Sequence, residues 1–250
     1  MFVSLGGPLW QYYLLDYLTM IVVLPAIIFA LIAQARVKTT FNKYKKHPST
    51  SGLTGAEAAR KILAAASVTG VAVQPTGGSL TDNYNPKTGA LSLSEEVFSG
   101  TDVAAIGVAA HEVGHAIQHS EGYFPLKLRS ALVLATNIGS RVALPLALVG
   151  VLIEYLGETT GTFGTLLIAI GVVCYALSTV FALITLPVEL NASRRARRLL
   201  LSTGILTEEE TAGARKVLNA AAMTYVASLA VSLVYLLRFV WIISNIRKKR

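Results

Sequence analysis

The sequence predicts a mainly α membrane protein with four transmembrane helices and a small α+β domain, and three observations predict it. Hydrophobic residues make up 53% of the 250 positions and charged residues only 14%, well outside the balance of a soluble domain. Four apolar stretches, 10–33, 131–153, 164–186 and 221–243, are each long enough to cross a bilayer as a helix. Between the first two lies a mixed segment, 36–130, in which helix formers and turn formers alternate.

The first stretch lacks the basic leader and small-residue cleavage site of a signal peptide, and its apolar run is too long for one, so it is expected to remain as an anchor. Arg36, Lys38, Lys43, Lys45 and Lys46 follow it. Arg194, Arg195, Arg197 and Arg198 follow the third stretch. Basic residues beside short spans mark the cytoplasmic side, so 36–130 and 187–219 are both expected there. The loop Glu154–Thr162 between the second and third stretches carries Glu154 and Glu158 and no Lys or Arg, as an external hairpin would. The tail Arg247-Lys248-Lys249-Arg250 runs against this topology, because a fourth crossing puts it outside. Either the fourth stretch is not a full crossing, or the basic residues on the other side outvote the tail, and the second is expected. Arg141, well inside the second stretch, is expected to face the helix bundle or to snorkel toward the headgroups.

A net charge of +8 could suggest nucleic acid. The Lys and Arg residues instead cluster beside the spans, without interleaved aromatics, which points to anionic lipid headgroups and to no nucleic acid. The single cysteine, Cys174, lies in the third stretch, which excludes an intrachain disulfide and leaves a small apolar role.

Within 36–130, Thr54 and Glu57 match a capping box and open a helical run, 56–66. Val71-Ala72-Val73, Leu80 to Asn85 and Ala90 to Leu93 are separated by Gly- and Pro-containing turns and read as short strands. Ser99 and Thr101 are capping candidates for the next helix. That helix carries His111-Glu112-Val113-Gly114-His115. Residues four apart share a helix face, so His111 and His115 can hold one Zn²⁺ while Glu112 reaches a water on it as general base. His119 lies about 12 Å along the axis from His111, too far to join the same ion. It is expected to line the helix end, and His47, beside Pro48, to be solvated.

A catalytic zinc usually takes a third protein ligand, often a carboxylate. Most acidic residues here lie in caps and loops, but Glu189 stands where the third stretch emerges on the side of His111. A carboxylate at a membrane exit needs a partner: the metal, or alternatively Arg194 or Arg195. Tyr84, Asn191 and Tyr225 are polar candidates for stabilising the oxyanion of a hydrolytic reaction.

The runs Leu80-Thr81-Asp82, Leu91-Ser92-Leu93-Ser94-Glu95, Ala105-Ile106-Gly107-Val108-Ala109-Ala110-His111-Glu112 and Gly114-His115-Ala116-Ile117-Gln118-His119, with Pro187-Val188-Glu189 and Thr207-Glu208-Glu209-Glu210 later, resemble the YugP family of bacterial membrane neutral zinc metallopeptidases. The resemblance covers nearly the whole chain. More distantly the plan is similar to HtpX-type membrane proteases and CAAX prenyl proteases, where a membrane hairpin separates the zinc helix from a later glutamate-bearing helix. In those relatives an aspartate four residues after the glutamate orients a ligand histidine. Ser193 occupies that place here, so the orienting role passes to Ser193 or Asn191, or to neither.

The resemblance implies a zincin-like catalytic domain on the cytoplasmic face of the cell membrane, one Zn²⁺ on His111, His115 and Glu189, and a peptide or protein substrate, membrane-associated proteins included. The small sheet is similar to the one before the metal helix in zincins, where an edge strand pairs with extended substrate. Ala90, Leu91, Ser92 and Leu93 are the candidates for that strand, and a purely structural hairpin is the alternative. The competing functions are a metal-stabilised membrane scaffold and a transporter. A transporter would carry paired polar groups in its spans, and apart from Arg141 and a few Ser, Thr and Asn these are scarce. A structural zinc would be closed by four ligands, mostly Cys, and the only Cys lies in a span.

Overall fold

The computed structural model describes residues 9–156 and 162–247. Residues 157–161, with Glu158 of the expected hairpin, and Lys248, Lys249 and Arg250 of the tail lie outside the described residues. The described chain is mainly helical: α1 (Leu9–Tyr44), α2 (Gly55–Ala65), β1 (Ala72–Thr76), β2 (Asn83–Asn85), β3 (Ala90–Ser94), α3 (Glu95–Phe98), α4 (Val103–Ser120), α5 (Phe124–Leu156), α6 (Thr162–Ser202) and α7 (Glu208–Arg247). Helices α1, α5, α6 and α7 are long and apolar enough to cross a membrane. The chain divides into two compact units, one of Ile32–Ser130 with Ile184–Tyr225, the other of the preceding, intervening and following residues.

Among the described residues of the second of these units, α5, α6 and α7 pack through small side chains, as helices do where lipid offers no hydrophobic drive to associate. A methyl group at Gly171 would stand 2.7 Å from the Ala143 carbonyl oxygen, and one at Gly139 would meet Cys174 at 3.5 Å. Thr179 and Ser232 share a hydrogen bond of 2.7 Å between α6 and α7. Outward, Leu134 on α5, Val173 on α6 and Leu237 on α7 are about 70% exposed, a burden in water that hydrocarbon removes. Arg141 is also exposed, so of the two expectations it is the bundle-facing one that fails and snorkelling that its position permits.

The unit Ile32–Ser130 with Ile184–Tyr225 has a conventional core. Ile62 and Leu63 of α2, Leu91 and Leu93 of β3, Ile106, Ala109 and Val113 of α4, Leu200 near the end of α6 and Ile205 in the turn after it are buried together. Helix α2 starts with the expected capping box, Thr54 accepting from Glu57 N while the Glu57 carboxylate accepts from Thr54 N. The sheet runs β1-β3-β2, with β1 parallel and β2 antiparallel to β3. This overturns the reading of Ala90, Leu91, Ser92 and Leu93 as a substrate-pairing edge. β3 is the central strand, its register running Ala72↔Ala90 to Thr76↔Ser94 on one side and Tyr84↔Leu91 on the other, and Leu91 and Leu93 are wholly buried. A strand hydrogen-bonded on both sides has no free edge to offer.

Two further differences concern helix ends. Asp102, and neither Ser99 nor Thr101, caps α4, its carboxylate accepting from Ala105 N at 2.9 Å. Ser99 lies at the end of α3 instead. Proline usually breaks a helix because it lacks the N–H and crowds the preceding turn, yet α6 runs through Pro187 to Ser202. Its 41 residues extend about 60 Å, twice the roughly 30 Å hydrocarbon layer. One continuous helix therefore supplies both an apolar stretch and the turns that carry Glu189. Replacing the α4 cap, Asp102→Ala, is expected to cost about 1 kcal/mol of stability, read as an earlier thermal unfolding transition of the detergent-solubilised protein.

Candidate metal centre

Helix α4 places His111 and His115 one turn apart on the same face, their rings edge to face with centroids 4.8 Å apart. Glu189 enters from α6. Its Oε2 lies 3.2 Å from His111 Nε2 and 3.5 Å from His115 Nε2. These three donors form a group with all ligand atoms within 4.8 Å of one another. Ligands at 2.0–2.2 Å on a tetrahedral ion stand about 3.3–3.6 Å apart, so the spacing and the donor set both suit Zn²⁺.

The helices can meet so closely because position 114, inside the H-E-x-x-H motif, is glycine. A methyl group there would stand 2.6 Å from the Ala192 carbonyl oxygen of α6. Around that contact a polar network joins the two helices. Gln118 Nε2 donates to Val188 O at 2.8 Å and to Asn191 Oδ1 at 2.9 Å. With its amide nitrogen so committed, Gln118 Oε1 faces His115 Nδ1 at 3.0 Å and can only accept. His115 therefore carries its proton on Nδ1 when neutral, and Nε2 keeps a lone pair toward Glu189. On the other ring, Ser193 Oγ lies 3.1 Å from His111 Nδ1. Asn191 touches neither histidine. It meets Gln118 and accepts from Arg195 Nε at 2.7 Å, while Arg195 pairs with Glu121.

Glu189 is 2% exposed, and a buried carboxylate needs compensation. Arg129, at the start of α5, provides it, its Nη1 3.0 Å from Glu189 Oε1. The partner is thus neither Arg194 nor Arg195. Burial works against a charged His115, but its hydrogen bond to Glu189 and the charges of Glu112 and Glu189 outweigh that and raise its pKa above the usual histidine value. Burial dominates at Glu112 and pushes its carboxyl up, with Glu189 and Asp82 adding to the push and the two histidines opposing it.

His111, Glu112, Glu189, Asp82, Ser193 and Tyr225 are the polar residues lining a cavity of about 180 Å³. Of the oxyanion candidates, Tyr225 is the one on this cavity. Tyr84 is engaged with His119, its hydroxyl 2.9 Å from Nδ1, and both lie off the cavity lining. His47 is exposed, beside the Tyr44 ring. Sequence reading missed Gln118 and Arg129. Gln118 had a signal, since a residue three after His115 is its neighbour on the helix surface. Arg129 had none, being brought in by tertiary packing alone.

Four bilayer-length helices and a buried two-histidine, one-carboxylate cluster beside a glutamate define a multi-pass membrane protein with the donor set of a zinc enzyme. The chain belongs to the family described as "Putative neutral zinc metallopeptidase", whose pattern it matches over residues 19–244. It is similar to "Putative membrane protease YugP" of Bacillus subtilis (strain 168), 46% identical over 213 residues that cover 85% of this chain and 91% of that relative. No solved structure matches it.

If Gly114 is what lets α4 and α6 approach, Gly114→Ala should lower stability by about 1–3 kcal/mol, measured as a shifted denaturation midpoint. An unshifted midpoint would show that the approach is not tight.

Proposed function

We propose that this chain is an integral membrane zinc-dependent endopeptidase, with one Zn²⁺ held by His111, His115 and Glu189 and with Glu112 as general base. The convergence of the two imidazoles on a buried carboxylate from a distant helix carries the reading, and the zinc metallopeptidase family of the chain agrees with it. When bound, Zn²⁺ supplies an acidified water and polarises the scissile carbonyl.

The protein's own groups do the rest. Glu112, lining the cavity with its carboxyl pushed up by burial, takes a proton from the attacking water and later delivers it to the leaving amine. Gln118 fixes the tautomer of His115, Ser193 orients His111, and Asn191 acts through Gln118. Arg129 holds the outer oxygen of Glu189 and so aims the inner one. Tyr225, on the same cavity, is the donor for the oxygen that gains charge. An extended substrate backbone pairs with the outer strand β2, which directly follows Leu80 and Asp82 of the cavity lining, because β3 is already hydrogen-bonded on both sides.

In this reading 36–130 and 187–219 form a zincin-like catalytic domain with a gluzincin-type ligand set, anchored by spans at 10–33, 131–153, 164–186 and 221–243. It faces the cytoplasm, supported by the basic runs Arg36 to Lys46 and Arg194 to Arg198, which rest on anionic headgroups. Its substrates are peptides or proteins, including membrane-associated ones.

The direct test is peptide hydrolysis by the purified protein in detergent. Glu112→Gln, which removes the base and leaves the ligands, should keep bound zinc and lose roughly 100-fold or more in kcat. Unchanged hydrolysis in that variant would sink the mechanism.

A further inference from the structure

The cavity beside Glu112 also has apolar lining that the chemistry above leaves unused. On α1, Val37 and Phe41 are four residues apart and share a face. On α7, Val217, Leu218, Ala221 and Ala222 line the cavity, spaced as one helical stripe. The rest of the apolar lining is also aliphatic, and every carboxylate and imidazole on the cavity lies among the groups already described. The whole cavity, its polar lining included, is about 180 Å³, and about 150 Å³ is enough space for a benzene-sized group. Ala221 and Ala222, in the run Ala220-Ala221-Ala222, present only methyl groups to it, and Ala222 is 7% exposed.

Resting on the peptidase reading, we propose that this apolar lining is a specificity pocket: it receives an aliphatic or aromatic side chain of the substrate next to the scissile bond, and Ala222 sets the size accepted. The pocket is continuous with the lining that carries His111 and Glu112, so its occupant belongs to the residue being cut rather than to a remote anchor. An acidic side chain entering it would shed its hydration and face the carboxylates of Asp82, Glu112 and Glu189 on the same cavity. An apolar one fills it and excludes water. Shape and hydrophobicity grade apolar occupants in steps of one or two methylenes, and a negative charge is severe.

The full-length protein in detergent is given a set of unstructured peptides differing only at the residues flanking the bond cut, with products identified by mass. Leu and Phe at one flanking position should be cleaved at least about 10-fold faster, in kcat/KM, than Asp or Asn. Ala222→Leu should move the preference to Gly and Ala, and Val217→Ala should move it toward larger rings. The second variant decides the matter if the first does not fold. Glu112-dependent cleavage with no preference at either flanking position, or a preference that neither variant moves, overturns the pocket and leaves the peptidase standing. If no peptide is cut in a Glu112-dependent way, the peptidase reading fails and the pocket falls with it.

Discussion

The close approach of α4 to α6 is the constraint on which the rest of the site depends. Glu189 is separated from the motif histidines by more than 70 positions and by two apolar stretches, yet its carboxylate is within 3.5 Å of both rings. Nothing local enforces this. It follows from a glycine that leaves no side chain to strike the Ala192 carbonyl, and from an amide, Gln118, that bonds the Val188 carbonyl and Asn191 while turning its oxygen to His115. A looser contact would leave a charged carboxylate buried without its full set of partners, a penalty of several kcal/mol. Packing and electrostatics therefore select the same arrangement.

That arrangement also explains why α6 passes through Pro187 instead of ending there. If the helix stopped at its apolar end, Val188, Glu189, Asn191 and Ser193 would lie on an irregular segment. As part of α6 they keep helical spacing. Glu189 and Ser193, four apart, share a face and meet the opposite edges of His111. The unit boundary in α6 falls at Leu183, one turn before the proline. Positions held this way by a long helix are more exact than loop positions, which is what a metal centre needs.

Much of this was legible in the residues. The H-E-x-x-H spacing fixed which side chains share a face, and the shortage of acidic residues outside caps and loops pointed to Glu189. Length and apolarity are likewise plain in α1, α5, α6 and α7. Strand order was not legible. Ala90 to Leu93 has the composition of an edge or a centre alike, and only the pairing of β1 across to β3 decides. The cap of α4 was misplaced because Ser99, Thr101 and Asp102 are all good caps, and the choice is made by the isolated pairing of Pro48 with Asp102. Arg129 could not be found at all, since a charge compensating Glu189 could come from any nearby helix.

The most direct test of the central claim is X-ray absorption at the zinc edge of the purified, zinc-loaded protein, compared with its Glu189→Gln variant. Two imidazole nitrogens near 2.0–2.1 Å with the remaining ligands oxygen are expected, with an altered oxygen shell in the variant. A shell containing fewer than two imidazoles, or one unchanged when Glu189 is replaced, would contradict the account.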